Sequence, residues 1–160
     1  MIIKYRNYNM MDINEVKQHI NKKSRLIGVD MGSKRVGLSI SDENRKIATP
    51  LKTVNYESIQ LLIVEIEKII NENNIGGIVF GNPKNMDGVE GSSSQSVKDK
   101  IKLISEKIEI PLVLWDERLS TVGAFNLSSQ LDVNVTKRVK NIDKNAAAFI
   151  LQGALDFLNN

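Results

Sequence analysis

Apolar and polar positions set the period of each segment. Arg25 to Met31 is a short apolar run carrying Ile27 and Val29, and Val36 to Asp42 alternates Val36, Leu38 and Ile40 against Gly37, Ser39 and Ser41. Both read as strands, the second half-buried. Ile47 to Val54 reads as a third, with Pro50 pointing to an edge or a bulge. Tight polar turns join the three, as an antiparallel meander requires. The period then becomes helical, with Ile59, Leu62, Ile63, Ile66, Ile69 and Ile70 on one face and Asn73-Asn74 as the stop. A strand over Gly76 to Phe80 follows, then a Gly/Ser/Asp-rich loop over Gly81 to Ser94. Val97, Ile101, Ile104 and Ile108 mark another helix, and Pro111 to Trp115 a fifth strand. One helix is expected from near Thr121. A last one is expected from near Asp143, through Ala146, Ala147, Ile150 and Ala154.

This order predicts an α/β fold, a mixed five-stranded sheet of three antiparallel strands followed by strand–helix units, flanked by helices. Residues 1–24 are rich in Asn and Lys with weak periodicity, and read as a polar N-terminal extension in which Met11 to Ile20 forms one short helix. Residues 25–160 are the expected domain. A chain of 160 residues holds one such unit with a real core.

Composition narrows the chemistry. Without cysteine there are no disulfides and no thiolate-held zinc. The single histidine, His19, lies in the polar extension, which removes histidine-rich metal sites and argues against a serine triad. Carboxylates with a hard cation are then the expected means of any hydrolysis. The net charge of +3 permits nucleic acid as a partner without establishing it. Apolar runs are short and broken by charge, and the first 24 residues lack an apolar block, so the expectation is a cytoplasmic protein with no membrane association.

Four places carry candidate chemistry. In Gly28-Val29-Asp30-Met31-Gly32-Ser33-Lys34-Arg35 an aspartate sits inside an apolar strand, where a metal or hydrogen bonds must compensate it. Lys34 and Arg35 follow in a turn suited to a phosphate. A tight turn with an aspartate serving local amides is an equal reading. Gly81-Asn82-Pro83-Lys84-Asn85-Met86-Asp87-Gly88 leaves a strand's carboxyl end, where ligands collect in α/β sheets, and is also the composition of an ordinary surface loop. Asp116-Glu117-Arg118-Leu119-Ser120-Thr121 brings at least one carboxylate and an arginine to the end of the fifth strand, or caps a helix at Ser120 or Thr121. Asp143, at the expected start of the last helix, reads on its own as a cap. Asp30, Glu117 and Asp143 together suit one or two oxygen-ligated divalent ions.

These motifs, with Asp143, Ala146-Ala147 and Ile150-Leu151-Gln152, resemble the YqgF-type family, nucleases of the 16S rRNA precursor also described as Holliday-junction-resolvase-like. The resemblance runs from about Arg25 to Phe157. It implies an RNase H-like fold, with Asp30, Glu117 and Asp143 as catalytic metal-binding acids for Mg²⁺ or Mn²⁺, two ions being expected. It implies a hydrolase that matures the 5′ end of pre-16S rRNA, with branched DNA as a related substrate. Lys34, Arg35, Lys84, Asn85, Arg118 and the basic run of Lys137, Arg138 and Lys140 are the expected nucleic-acid contacts. Ribosomal particles are candidate partners, and a homodimer is left open. Asn82, Val89 and Ser92 depart from the family pattern, which bears on loop stiffness and leaves the acids intact.

Two other classes compete. An actin-like ATPase shares an Asp-x-Gly turn after its first strand, but clamps its nucleotide between two such domains, and one uses most of this chain. A non-catalytic RNA-binding module would keep the fold without the chemistry. All three acids being present favours catalysis.

Overall fold

The computed structural model describes residues 9–83, 91–116 and 135–160, with side chains in the last stretch described from Asn145 onward. The elements are α1 (Ile13–His19), β1 (Arg25–Met31), β2 (Arg35–Ser41), β3 (Ala48–Asn55), α2 (Ile59–Glu72), β4 (Ile75–Asn82), α3 (Ser92–Ser105), β5 (Leu112–Asp116) and α4 (Val135–Asn159). The helix expected from Thr121 falls outside the described residues.

The five strands form one sheet in the order β3-β2-β1-β4-β5. β1 pairs antiparallel with β2, and β2 with β3, which is the expected meander. β4, which follows β3 through α2, runs parallel to β1, and β5, which follows β4 through α3, runs parallel to β4. The strands β1, β4 and β5 therefore end on the same side of the sheet, at Met31, Asn82 and Asp116. Pro50 sits on the edge strand β3, opposite Ser39 where the register shifts.

Alternation along the strands divides the core into two layers. Ile27, Val29, Val36, Leu38, Ile78, Phe80 and Leu112 meet the buried rows of α2 and α3, among them Leu62, Ile66, Val97, Ile101 and Ile104. Leu26, Val79 and Val113 meet Ile150, Leu151, Ala154 and Leu155 of α4, together with Ile13 and Val16 of α1. α2 starts where Ser58 accepts the Leu61 amide at 3.2 Å, and α1 where Asp12 accepts the Asn14 amide at 2.9 Å. The segment before α1 lies along the outer edge of β5. Met11 N–H donates to the Leu112 carbonyl at 2.9 Å and Leu112 N–H to the Asn9 carbonyl at 3.0 Å.

α4 begins earlier than the sequence pattern predicts. It starts at Val135, so Asp143 lies in its third turn rather than at its start, and the capping reading of Asp143 is corrected. Residues 135–142 contain neither Gly nor Pro, and their Lys, Arg and Asn side chains mask the helical period without opposing the helix.

The direction of α4 follows from three contacts. The Ala147 carbonyl accepts from Ser39 at 2.8 Å; Gln152 bonds the Ala48 amide and the Lys46 carbonyl; Asn159 donates to the Arg45 carbonyl at 2.7 Å. Arg45 stands in the turn beyond β2, beside the first residues of β1, where its guanidinium donates to the Ser24 carbonyl at 2.6 Å. α4 therefore runs opposite to β1, and its earlier residues lie toward the Asp30 end.

Candidate active site

Asp30 is the penultimate residue of the central strand, half-buried, and paired in register with Gly37 of β2. It shares the α4 face of the sheet with Leu26 and Gly28. The chain then turns sharply. A Cβ on Gly32 would stand 2.3 Å from the Arg35 carbonyl oxygen, so glycine is required for β1 to return as β2. That turn presents Lys34 and Arg35, both exposed, at the end of the sheet where Asp30 lies.

The close approach of α4 is set by small residues. A Cβ on Gly28 would meet Ser39 Oγ at 2.3 Å, the Ala147 carbonyl oxygen at 2.7 Å and Leu151 Cβ at 2.7 Å. Ala146 and Ala147 are buried against this surface. Ala147 is thus level with Gly28. Asp30 lies two strand residues further on, about 6.6 Å. Helix position 143 lies four residues earlier on α4, about 6 Å in the same direction. The two displacements match, so position 143 of the helix backbone comes level with Asp30.

The ends of β4 and β5 complete this side of the sheet. Gly81 is paired with Trp115 and Asn82 with Asp116. Asn82, expected in the loop, is the last residue of β4. Its side chain is on the α2–α3 face, 5% exposed, and accepts the Ser94 hydroxyl at 2.6 Å. Val113 and Trp115 belong to the α4 face, where the Trp115 ring packs edge-on to Phe157 at 5.7 Å. Asp116 takes the opposite parity. Between Asp30 and the open edge, Thr53 on β3 is paired with Gly37, and its buried hydroxyl has no hydrogen-bond partner.

Of the residues expected from sequence, the structure brings Asp30, Lys34, Arg35 and helix position 143 to one end of the sheet. Lys137, Arg138 and Lys140, the basic run ahead of the expected start of the last helix, belong to the first turns of α4. Lys84, Asn85, Glu117 and Arg118 lie outside the described residues. Among the described residues, no three His, Asp or Glu side chains gather as a metal cluster. His19 is on α1, its ring against the Glu15 carbonyl, away from Asp30. No helix among the described residues is long and apolar enough to cross a membrane.

Sequence reading did not single out Ser39. Its signal was present: the polar positions of β2 are Gly37, Ser39 and Ser41 and carry no charge. Small uncharged residues on one face of a strand mark a face covered closely by another element rather than by water.

The chain matches a family model described as RuvX, Holliday junction resolvase, over residues 24–157. A protein of Pelagibacter ubique is 62% identical over 151 residues, spanning 94% of this chain and 100% of the relative. One of Rhodobacter capsulatus is 42% identical over 133 residues, spanning 83% and 84%. Both carry the name "Putative pre-16S rRNA nuclease". Among solved structures, Thermus thermophilus RuvC superposes with a TM-score of 0.52 at 9% identity, covering 84% of this chain and 96% of that one. Fowlpox virus resolvase in complex with substrate Holliday junction DNA gives 0.52 at 10% identity, covering 85% and 99%. At these identities the structural matches establish the shared RNase H-like fold.

Proposed function

The chain belongs to the RuvX family, the YqgF-type family of its motifs, and from that membership we propose that it is a nuclease hydrolysing phosphodiester bonds, with the 5′ end of pre-16S rRNA as its substrate. The observation that carries the reading is the meeting of Asp30, at the end of the central strand, with the level of helix position 143 on the closely packed α4.

A divalent cation fits the donors available. The described end of the sheet offers carboxylate, hydroxyl and carbonyl oxygens; the chain has no thiol, and its one imidazole lies elsewhere. Oxygen donors of this kind suit Mg²⁺ or Mn²⁺. Asp30, Glu117 and Asp143 are the residues that would hold one or two ions. Within β5, Val113 and Trp115 take the α4 face and Asp116 the opposite parity, so Asp116 is not proposed as a ligand. When bound, such ions supply charge stabilisation to a phosphodiester under attack by water.

The chain's own cations do the rest. Lys34 and Arg35, on the turn beside Asp30, hold phosphate oxygens next to the scissile bond, and Arg118, Lys84 and Asn85 are proposed as further nucleic-acid contacts. Lys137, Arg138 and Lys140, in the first turns of α4, are proposed to add to the attraction for the phosphate backbone. The protein works in the cytoplasm, on RNA within or released from an assembling ribosomal particle.

A second reading, cleavage of branched DNA, is favoured by the family's description as a Holliday junction resolvase. One experiment separates the two. A labelled fragment of 16S rRNA precursor and a synthetic four-way DNA junction are incubated with Mn²⁺ or Mg²⁺, with EDTA and Asp30→Asn as controls. Metal-dependent cutting of RNA that Asp30→Asn abolishes supports rRNA maturation. Cutting confined to the junction replaces it with the DNA reading. Activity unchanged in EDTA or in Asp30→Asn refutes the metal-carboxylate site.

A further inference from the structure

We propose that Ser39 is a positioning residue for this nuclease, fixing the height of α4 so that helix position 143 stays level with Asp30; the inference rests on the nuclease reading above. Ser39 is fully buried, in the middle of β2, and is the register partner of Gly28. Its hydroxyl donates to the Ala147 carbonyl at 2.8 Å, one helical turn from position 143. In a continuous helix that carbonyl already accepts the amide of residue 151. The serine is therefore not needed to satisfy an orphaned group. It adds location, tying one point of α4 to one point of the sheet.

Apolar packing alone would leave that location loose. Leu26, Ile150, Leu151 and Leu155 interdigitate toward the other end of α4, whereas on the side of the acids Gly28, Ala146 and Ala147 bring no large side chain to set the register of the helix along the strand. Gln152 and Asn159 also tie α4 to the sheet, but toward its other end. Ser39 holds the helix on the side of the acids. A slip of the order of 1 Å there separates carboxylates that must share an ion, and such misplacement costs about a hundredfold in rate when it reaches the reacting atoms. Residues that orient metal ligands typically contribute about 10–100-fold in affinity or activity.

The test compares Ser39→Ala with Ile104→Val, a conservative trim of a fully buried residue on the other side of the sheet. Wild type, both variants and Asp30→Asn are measured for Mn²⁺ affinity by titration calorimetry, for kcat and KM on the RNA fragment, and for the denaturation midpoint. The expected result for Ser39→Ala is Mn²⁺ affinity weakened about tenfold, kcat lowered by a similar factor and KM for RNA within about twofold. Ile104→Val, with a comparable fall in midpoint, keeps the wild-type affinity and kcat. Ser39→Ala behaving like Ile104→Val overturns the positioning role while leaving the nuclease reading intact. Wild-type protein that binds no Mn²⁺ sensitive to Asp30→Asn overturns both together.

Discussion

Ser94, in the first turn of α3, donates its hydroxyl to the Oδ1 of Asn82, the last residue of β4, at 2.6 Å inside the protein, the two being 12 positions apart in sequence. Both side chains are almost wholly buried. The pair ties the end of β4 to the first turn of α3, on either side of the stretch of sequence that contains Lys84 and Asn85. Ser94→Ala removes the donor and lowers stability by about 1–2 kcal/mol, read from urea unfolding. If the loop contacts substrate as proposed, KM for RNA rises while kcat holds. An unchanged urea midpoint would show that the pair contributes nothing.

Gly28→Ala is expected to be more damaging than its size suggests. The added methyl would lie within 2.7 Å of Ala147 and Leu151 and closer still to Ser39. α4 must lift or β1 must bend, at a cost of about 1–3 kcal/mol. Chemical denaturation gives the stability, and Mn²⁺ titration reports whether the lifted helix still completes the site. A variant as stable as the parent would mean that the seam is looser than it is drawn.

The basic turns of α4 predict a salt effect. Replacing Lys137, Arg138 and Lys140 together with Gln removes three charges from the surface proposed to meet RNA. The slope of log binding constant against log salt should flatten by about 2 for a single strand. Fluorescence anisotropy between low and moderate salt measures it directly, and an unaltered slope assigns the three side chains to water instead.

Asp42 gives a pH dependence remote from the site. Its carboxylate accepts the amides of Ile47, Lys46 and Asn44 in the β2–β3 turn. The Ile47 amide first, and then those of Lys46 and Asn44, outweigh partial burial and hold its pKa below the ordinary 3.8. A depressed folded pKa means that the stabilisation is fully present above the unfolded value and is lost as pH falls through the folded one. The group is nearly exposed, so the effect is below about 1 kcal/mol after screening. Asp42→Asn should remove that part of the acid destabilisation between about pH 5 and about pH 2, seen as a smaller shift in thermal midpoint. A midpoint that falls as steeply in the variant as in the parent would exclude the turn.

Much of this fold was legible because the strands obey simple alternation. Ile27 and Val29, Val36 and Leu38, and Ile78 and Phe80 face one layer as their period requires. The start of α4 was only weakly legible: Val135, Val139 and Ile142 recur at helical spacing, but the cations and asparagine among them read as a polar stretch. Glu117 was named by the family resemblance, and the described part of β5 ends one residue before it, at Asp116, the register partner of Asn82. Asp30 was visible as a charge in an apolar run. For Ser39 the uncharged face of β2 showed that something covers it closely, but not what, because its partner Ala147 is 108 positions away.

That separation has a consequence in time. A growing chain makes β1 and β2 together, and their antiparallel pairing is local. α4, which covers Gly28, Ser39 and Asp30, is synthesised only after the rest of the sheet, and Asn9 must likewise wait for Ile108 and Ile110 to find its partners. Contacts this distant form late, once the intervening chain has collapsed. Until α4 docks, helix position 143 has not come level with Asp30, and the proposed set of acids is incomplete. On the proposed reading, an unfinished chain still attached to its own ribosome is therefore inert toward nearby RNA, and cutting begins only with the finished fold.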